Sequence, residues 1–301
     1  MRHHDRRALP VQRGALEGRG LRRLLAAKTP GITRKEKAPV RRNDNRGFLP
    51  EAPRIPLVAG GRFEMKVRYI GHSGFLVEWR SCYWLFDYFT GEIPDLDAGK
   101  RVFVFASHNH GDHWNPKVLD LSRKHPDVHY VLSSDIEAAE ANSAPRTITR
   151  VEPEKQYELA DREEQTIRLT TLRSTDAGVA FLLDYLGKCV YHAGDLNHWV
   201  WKEEPEAYNK EMTAAFEEQM SRLKGVVIDV AFVPLDPRQE EYYYLGLEGL
   251  LATAKVKRVF PMHFGRDFSV IQKYRKERGA NLGETILMDI RRGGEEWEFD
   301  L

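Results

Sequence analysis

The run His108-Asn-His-Gly-Asp-His113 places four potential metal ligands within six residues, directly after the apolar run Val102-Phe-Val-Phe-Ala-Ser107. Such text reads as a strand that ends in a tight turn, with imidazole and carboxylate groups leaving the turn on both sides. His108 and His110 can converge on one ion, while Asp112 and His113 can serve a second. Imidazole nitrogen with carboxylate oxygen suits Zn, Fe or Mn better than Mg or Ca. The alternative is a polar surface loop, which gains nothing from holding three of the chain's eleven histidines.

The string resembles the His-x-His-x-Asp-His signature of the metallo-β-lactamase superfamily, and the flanking text is similar too. Tyr69-Ile-Gly-His-Ser-Gly-Phe-Leu-Val-Glu78 and Leu85-Phe-Asp-Tyr88 look like that fold's opening hairpin and first acidic motif. Tyr191-His-Ala-Gly-Asp195 looks like the bridging-aspartate motif, and Phe260-Pro-Met-His263 like the last histidine motif. The resemblance covers residues 65 to 301. It is nearest to the branch of ascorbate-6-phosphate lactonase-like and N-acyl phosphatidylethanolamine phospholipase D-like proteins. It implies an α+β fold, a four-layer αββα sandwich that holds one or two divalent ions of Zn, Mn or Fe.

The resemblance also implies a ligand set. One ion takes His108 and His110, the other takes Asp112, His113 and His263, and Asp195 bridges them. The further His that the family supplies to the first ion is missing, because that stretch reads Leu172-Arg-Ser-Thr-Asp-Ala-Gly178. Asp176 either replaces it or merely caps a turn before glycine. Carboxylate in place of imidazole makes the first site harder and shifts it towards Mn or Fe. Asp87 is expected to hydrogen-bond a ligand His or its loop, as the first acidic motif does. His72 either faces the cleft or is satisfied by its turn, and His192 either supports Asp195 or packs in the core. His125, His129 and His198 fall in no motif and read as surface or structural.

In mechanism, two ions about 3.5 to 4 Å apart lower the pKa of a shared water from roughly 15.7 towards about 7 and present hydroxide to an electrophile. Asp112 can orient or deprotonate that nucleophile, and Asp195 is the second catalytic candidate. The chain is therefore expected to be a hydrolase of a small lactone, ester or phosphodiester. The alternative is a non-catalytic metal- or ligand-binding protein on a decayed site. Candidate substrate contacts are Trp199, with Trp201 beside it, and Arg238 with Tyr243. Trp199 and Trp201 either pack on substrate or anchor a helix. Arg238 either clamps an anion or pairs with Asp236 or Glu240.

A chain of 301 residues with 42% hydrophobic content can bury a large single core. No apolar run approaches the roughly 18 residues that span a bilayer. The two cysteines, Cys82 and Cys189, make no disulfide framework, so a reducing cytoplasm is the default. The net charge of +1 conceals a split: residues 1 to 64 hold 16 Lys or Arg against 6 Asp or Glu, whereas residues 65 to 301 hold 30 against 39. A balance of −9 on the second part opposes nucleic-acid binding. It also has no room for an RNA-holding insertion or the flavin domain of a diiron redox relative. A small-molecule substrate is expected, with a homo-oligomer open.

The basic first part is rich in proline, poor in aromatics, and reads as disordered. It is either a nucleic-acid arm, a transit peptide, which its lack of serine disfavours, or text upstream of a true start at Met65. The third fits best, because Met65-Lys-Val-Arg-Tyr-Ile begins the first strand with no linker.

Within residues 65 to 301, apolar or alternating text predicts strands at 67–70, 75–79, 83–86, 102–106, 128–132, 166–172, 180–184, 188–192, 226–234 and 258–261. Helices are expected at 116–123, 135–141, 206–223, 247–254 and 268–276. Strands followed by alternating strands and helices, repeated once, fit a two-sheet sandwich with the ligands in loops along one edge.

Overall fold

The computed structural model describes residues 64–137 and 147–300. The basic tail, and with it the disorder and start-site expectations, lies outside the described residues. Alternating apolar text forms two seven-stranded sheets. The first holds β1 (Glu64–Gly71), β2 (Gly74–Glu78), β3 (Cys82–Phe86), β4 (Arg101–Ala106), β5 (Val128–Ser133), β6 (Thr147–Val151) and, beside β1, the last strand β14 (Glu296–Asp300). The second holds β7 (Gln156–Ala160), β8 (Thr166–Arg173), β9 (Val179–Tyr185), β10 (Lys188–His192), β11 (Val227–Pro234), β12 (Lys255–Met262) and β13 (Ile286–Leu287).

Each sheet changes character halfway. β14, β1, β2 and β3 pair antiparallel and β3 to β6 pair parallel. In the second sheet β7 to β10 pair antiparallel and β10 to β13 pair parallel. Parallel neighbours end at the same edge: Phe86 lies opposite Phe105, His192 opposite Phe232, and Pro234 opposite Met262. The loops that follow these strands therefore emerge together, as carboxyl-end loops do in open parallel sheets.

Period-two alternation explains how the first sheet is buried on both faces. Trp84, Phe86, Phe103 and Phe105 join the core between the sheets, whereas Tyr83, Leu85, Val102 and Val104 join a second cluster with Trp114, Val118 and Ile136. Ring pairs cross between the sheets, with Phe75 4.3 Å from Phe232 and Phe86 6.3 Å from Phe181. Each fully buried Phe contributes about 1.5–3 kcal/mol.

The helices are α1 (Leu121–Lys124), α2 (Glu206–Ser221), α3 (Leu245–Thr253) and α4 (Ser269–Arg278). Helix α2 buries Phe216 and Met220, and Phe216 lies so close to Gly249 of α3 that a Cβ there would sit 2.4 Å from its ring. The expected α+β sandwich is what forms, with three local corrections. The expected 116–123 helix is a 3-10 turn at Pro116–Asp120, capped by the Asn115 side chain, followed by the single turn of α1. In the expected 135–141 helix, residues 135–137 are not helical and residues 138–141 lie outside the described residues. Asp135 instead accepts a hydrogen bond from the Asn109 amide and holds the ligand loop. Strands β6 and β7 were not anticipated, because as sheet edges they are half exposed and carry polar text. No helix among the described residues is long and apolar enough to cross a membrane.

Candidate metal centre

Asp87 follows β3, His108 to His113 follow β4, Asp195 follows β10, Asp236 follows β11 and His263 follows β12. Two hairpin tips complete the ring, His72 between β1 and β2 and Asp176 between β8 and β9. Close backbone approach makes this possible. A Cβ on Gly178 would lie 2.0 Å from the Ser107 carbonyl oxygen and 2.7 Å from His108 Cβ, and one on Gly194 would lie 2.7 Å from Ser107 Cβ. Both glycines also hold positive φ.

A hydrogen-bond relay orients the imidazoles. Asp87 accepts from the Ser107 amide at 2.8 Å and from the Ser107 hydroxyl at 2.7 Å, and its Oδ2 lies 2.7 Å from His113 Nδ1. The Ser107 hydroxyl proton is thereby spent, so at its 2.9 Å contact it accepts from His108 Nδ1. Asp236 lies 2.9 Å from His263 Nδ1 and takes the same part there. With Nδ1 carrying the proton in all three rings, His108, His113 and His263 present the Nε2 lone pair. His192 differs: Nε2 donates to the Ser73 carbonyl at 2.9 Å and Nδ1 accepts from the Gly194 amide at 3.1 Å. Both its nitrogens are used. It stacks on Phe86 at 4.8 Å and pins the β1–β2 hairpin to the Asp195 loop, so the ring serves packing and support together.

The Nε2 atoms meet around carboxylates. His108, His110, Asp176 and Asp195 form one group able to share an ion, and His72, Asp112, His113 and His263 form another. Asp195 lies between the two, with Oδ1 3.1 Å from His113 Nε2 and 3.3 Å from His263 Nε2, and Oδ2 3.5 Å from His108 Nε2. His72 Nε2, His108 Nε2, His113 Nε2, Asp195 Oδ1 and His263 Nε2 are all buried without a hydrogen-bond partner. Leaving one such group unpaired costs about 1–3 kcal/mol, so five of them in two adjoining groups fit cation ligands.

The electrostatics agree. Burial pushes the His108 imidazole down, towards the neutral form that can ligate. Burial pushes His72 down as well, against the opposing pull of Asp112. Burial would raise the Asp195 carboxyl, but the charges of His113 and His263 hold it far below the ordinary range. Around His113 burial opposes charge, yet Asp195 and Asp87 outweigh it and lift the ring to about 10. The centre thus favours positive charge, whether a proton or a metal ion.

Beside the ligands opens a cleft of about 260 Å³ lined by Thr175, Trp199, Trp201, Tyr208, Met212 and Arg238 together with His110, Asp112, Asp176, Asp195 and His263. Trp199 and Trp201 stack in parallel at 5.8 Å, and Trp199 Nε1 donates to the Asp195 carbonyl at 3.0 Å. Arg238 reaches the rim but is tied through Nε and Nη2 to Asp236. Tyr243 is not in the cleft: it is buried, donates to Glu277 at 2.9 Å and packs on Tyr244 and Tyr274, because η-turn Pro237–Tyr242 carries it away. The tyrosine that lines the cleft is Tyr208, from the first turn of α2. Sequence reasoning treated Asp236 only as a partner for Arg238. Its signal was available, since an acid at the end of an apolar strand is what also marks Asp87.

A family model described as a β-lactamase superfamily domain matches residues 66–211. No curated protein sequence matches the chain. In fold it is similar to Igni18, a novel metallo hydrolase from the archaeon Ignicoccus hospitalis, with TM-score 0.55 and 18% identity over 79% of this chain and 99% of that one. It is also similar to CmlA, a diiron β-hydroxylase from Streptomyces venezuelae, with TM-score 0.50 and 12% identity over 80% of this chain. The match spans 55% of the CmlA chain.

Proposed function

We propose that this chain, whose family match and fold support the metallo-β-lactamase superfamily, is a metal-dependent hydrolase of a small lactone, ester or phosphodiester. The observation that carries the reading is the convergence of the buried, unpartnered Nε2 atoms of His108, His113 and His263 on the Asp195 carboxylate. His108, His110 and Asp176 would hold one ion and Asp112, His113 and His263 the other, with Asp195 between. Divalent ions supply acidification of a water and polarisation of a carbonyl or phosphoryl oxygen. The position of Asp176 beside His110 supports carboxylate as the replacement for the missing imidazole. Two carboxylates in that group favour Mn or Fe there.

The chain's own groups do the rest. Asp112 lines the cleft, and the His72 ring beside it, with Nε2 3.3 Å from Oδ2, holds its carboxyl well below the ordinary range, so it is an ionised acceptor able to orient an attacking water. Arg238, fixed on Asp236, offers positive charge at the rim to an anionic group of the substrate. Trp199 and Trp201 form a flat apolar wall beside the reacting centre. A cleft of about 260 Å³ suits a small molecule. Within the superfamily, the flanking motifs favour the lactonase-like and phospholipase D-like branch.

The test is turnover of a panel of lactones, esters and phosphodiesters by protein loaded with Zn, Mn or Fe. Asp195→Ala is expected to bring the active member of the panel to background. Metal binding without turnover, or turnover that survives Asp195→Ala, would count against a hydrolase.

A further inference from the structure

His72 is the member of the two ligand groups that the ligand string does not require, and its geometry is that of a residue under constraint. Its φ of +54° lies in the left-handed region, which is unfavourable for a non-glycine residue. At the tip of the β1–β2 hairpin the ring turns inward: the side chain is 14% exposed, and Nε2 is buried without a hydrogen-bond partner. Nε2 stands 3.3 Å from Asp112 Oδ2 without the alignment of a hydrogen bond. The ring centre is 4.4 Å from that of His263 and 5.7 Å from that of His113. The His72 carbonyl accepts from the His263 amide at 3.4 Å, which ties the hairpin tip to the last ligand loop. A histidine that merely satisfied its own turn would have spent Nε2 on the backbone, as His192 does.

We propose, resting on the metal-dependent reading above, that His72 is a further metal ligand and that it makes the two sites different in kind. The group His72, Asp112, His113 and His263 offers three imidazoles and one carboxylate of its own, with Asp195 shared and His113 and His263 buried, and retains its ion. The group His108, His110, Asp176 and Asp195 offers two of each, and the side chains of His110 and Asp176 are 53% and 48% exposed. Imidazole-rich sites select zinc, whereas added carboxylate favours manganese or iron. Exposed ligands also open the first site to solvent and to exchange. The chain therefore holds a retained, zinc-selective site and an exchangeable, harder one.

The experiment is metal content by mass spectrometry on the full chain, loaded with zinc and manganese together and then dialysed against a chelator. Wild type is expected to lose manganese first and keep one zinc. His72→Asn, whose asparagine tolerates a left-handed backbone, is expected to lose that zinc at a chelator concentration lower by more than roughly tenfold, a scale that even loss of an outer hydrogen-bond partner reaches. Asp176→Asn is expected to spare the zinc and lose the manganese. Circular dichroism of each variant checks that it is folded. Zinc retention by folded His72→Asn equal to wild type, or release of both ions together by wild type, overturns the proposal. Wild type that binds two ions but ignores His72 leaves the hydrolase reading standing, whereas wild type that binds none overturns both.

Discussion

Around the centre, His72, Asp87 and His263 hold φ angles of +54°, +39° and +66°. Left-handed backbone at three bulky polar residues persists only where the surroundings over-determine it: here Asp87 is held by Ser107 and His113, His263 by Asp236, and His72 by the bond its carbonyl accepts from the His263 amide. Asp87→Asn should be costly, because the neutral amide cannot accept from His113 Nδ1 and the Ser107 hydroxyl as the carboxylate does. Thermal unfolding is expected to report a loss of about 2–3 kcal/mol, and titration a 10- to 100-fold weaker metal affinity. Gly178→Ala should act through the backbone alone, since its Cβ would overlap the Ser107 carbonyl at φ +67°. A lower melting temperature together with loss of metal from the His108 group is the expected result, and an unchanged metal content would show that the loop yields. At this scale the sequence revealed residue types but not directions. His72, His192 and Asp236 differ in which nitrogen or oxygen is already spent, which only neighbours in space determine.

The second scale is that of strands and the loops between them. The candidate ligands and the acids that orient them gather because parallel neighbours in register end together, and the loops that end them carry Asp87, His108 to His113, Asp195, Asp236 and His263. At the opposite ends of these strands Asp127, before β5, binds Arg101 at 3.0 Å and Arg162 at 2.9 Å, and Arg101 reaches the Ala160 carbonyl at 2.7 Å. Burial would raise the Asp127 carboxyl, but the hydrogen bonds from Arg162 and Arg101 outweigh it and hold it below its ordinary 3.8. A carboxylate whose folded pKa is depressed stabilises above the unfolded value and loses that contribution as pH falls through the folded one. Asp127→Asn should therefore cost about 1 kcal/mol at neutral pH, a figure discounted for partial exposure, and nothing once pH is well below 3.8. Melting curves of both proteins across that range check it, and a constant difference would refute it. Strands buried on both faces were legible because their apolar runs are unmistakable. Strands β6 and β7, at sheet edges, were not legible, because pairing rather than burial makes them strands.

At the scale of the whole molecule, two sheets bring ligands 155 residues apart in the chain, His108 and His263, to one centre. Closing that distance brings cationic and anionic groups into a partly buried site, and a bound ion that favours only the folded chain must stabilise it. Chelation is expected to lower the melting temperature, and readdition of metal at 100 times its dissociation constant to restore about 2.7 kcal/mol. A melting temperature indifferent to metal would show that the groups form without binding. The ligand string, the strand periods and the apolar content determined a two-sheet α+β sandwich with candidate metal ligands along one edge. Those are local properties, written in spacing and side-chain type. Only the tertiary structure decided that Asp176 stands with His108 and His110, that His72 turns into the other group, that Asp236 steers His263 and that Tyr208 rather than Tyr243 reaches the cleft. Each of these depends on which loops the register brings to one edge and on where each side chain finds its partner, and no single stretch of chain contains that information.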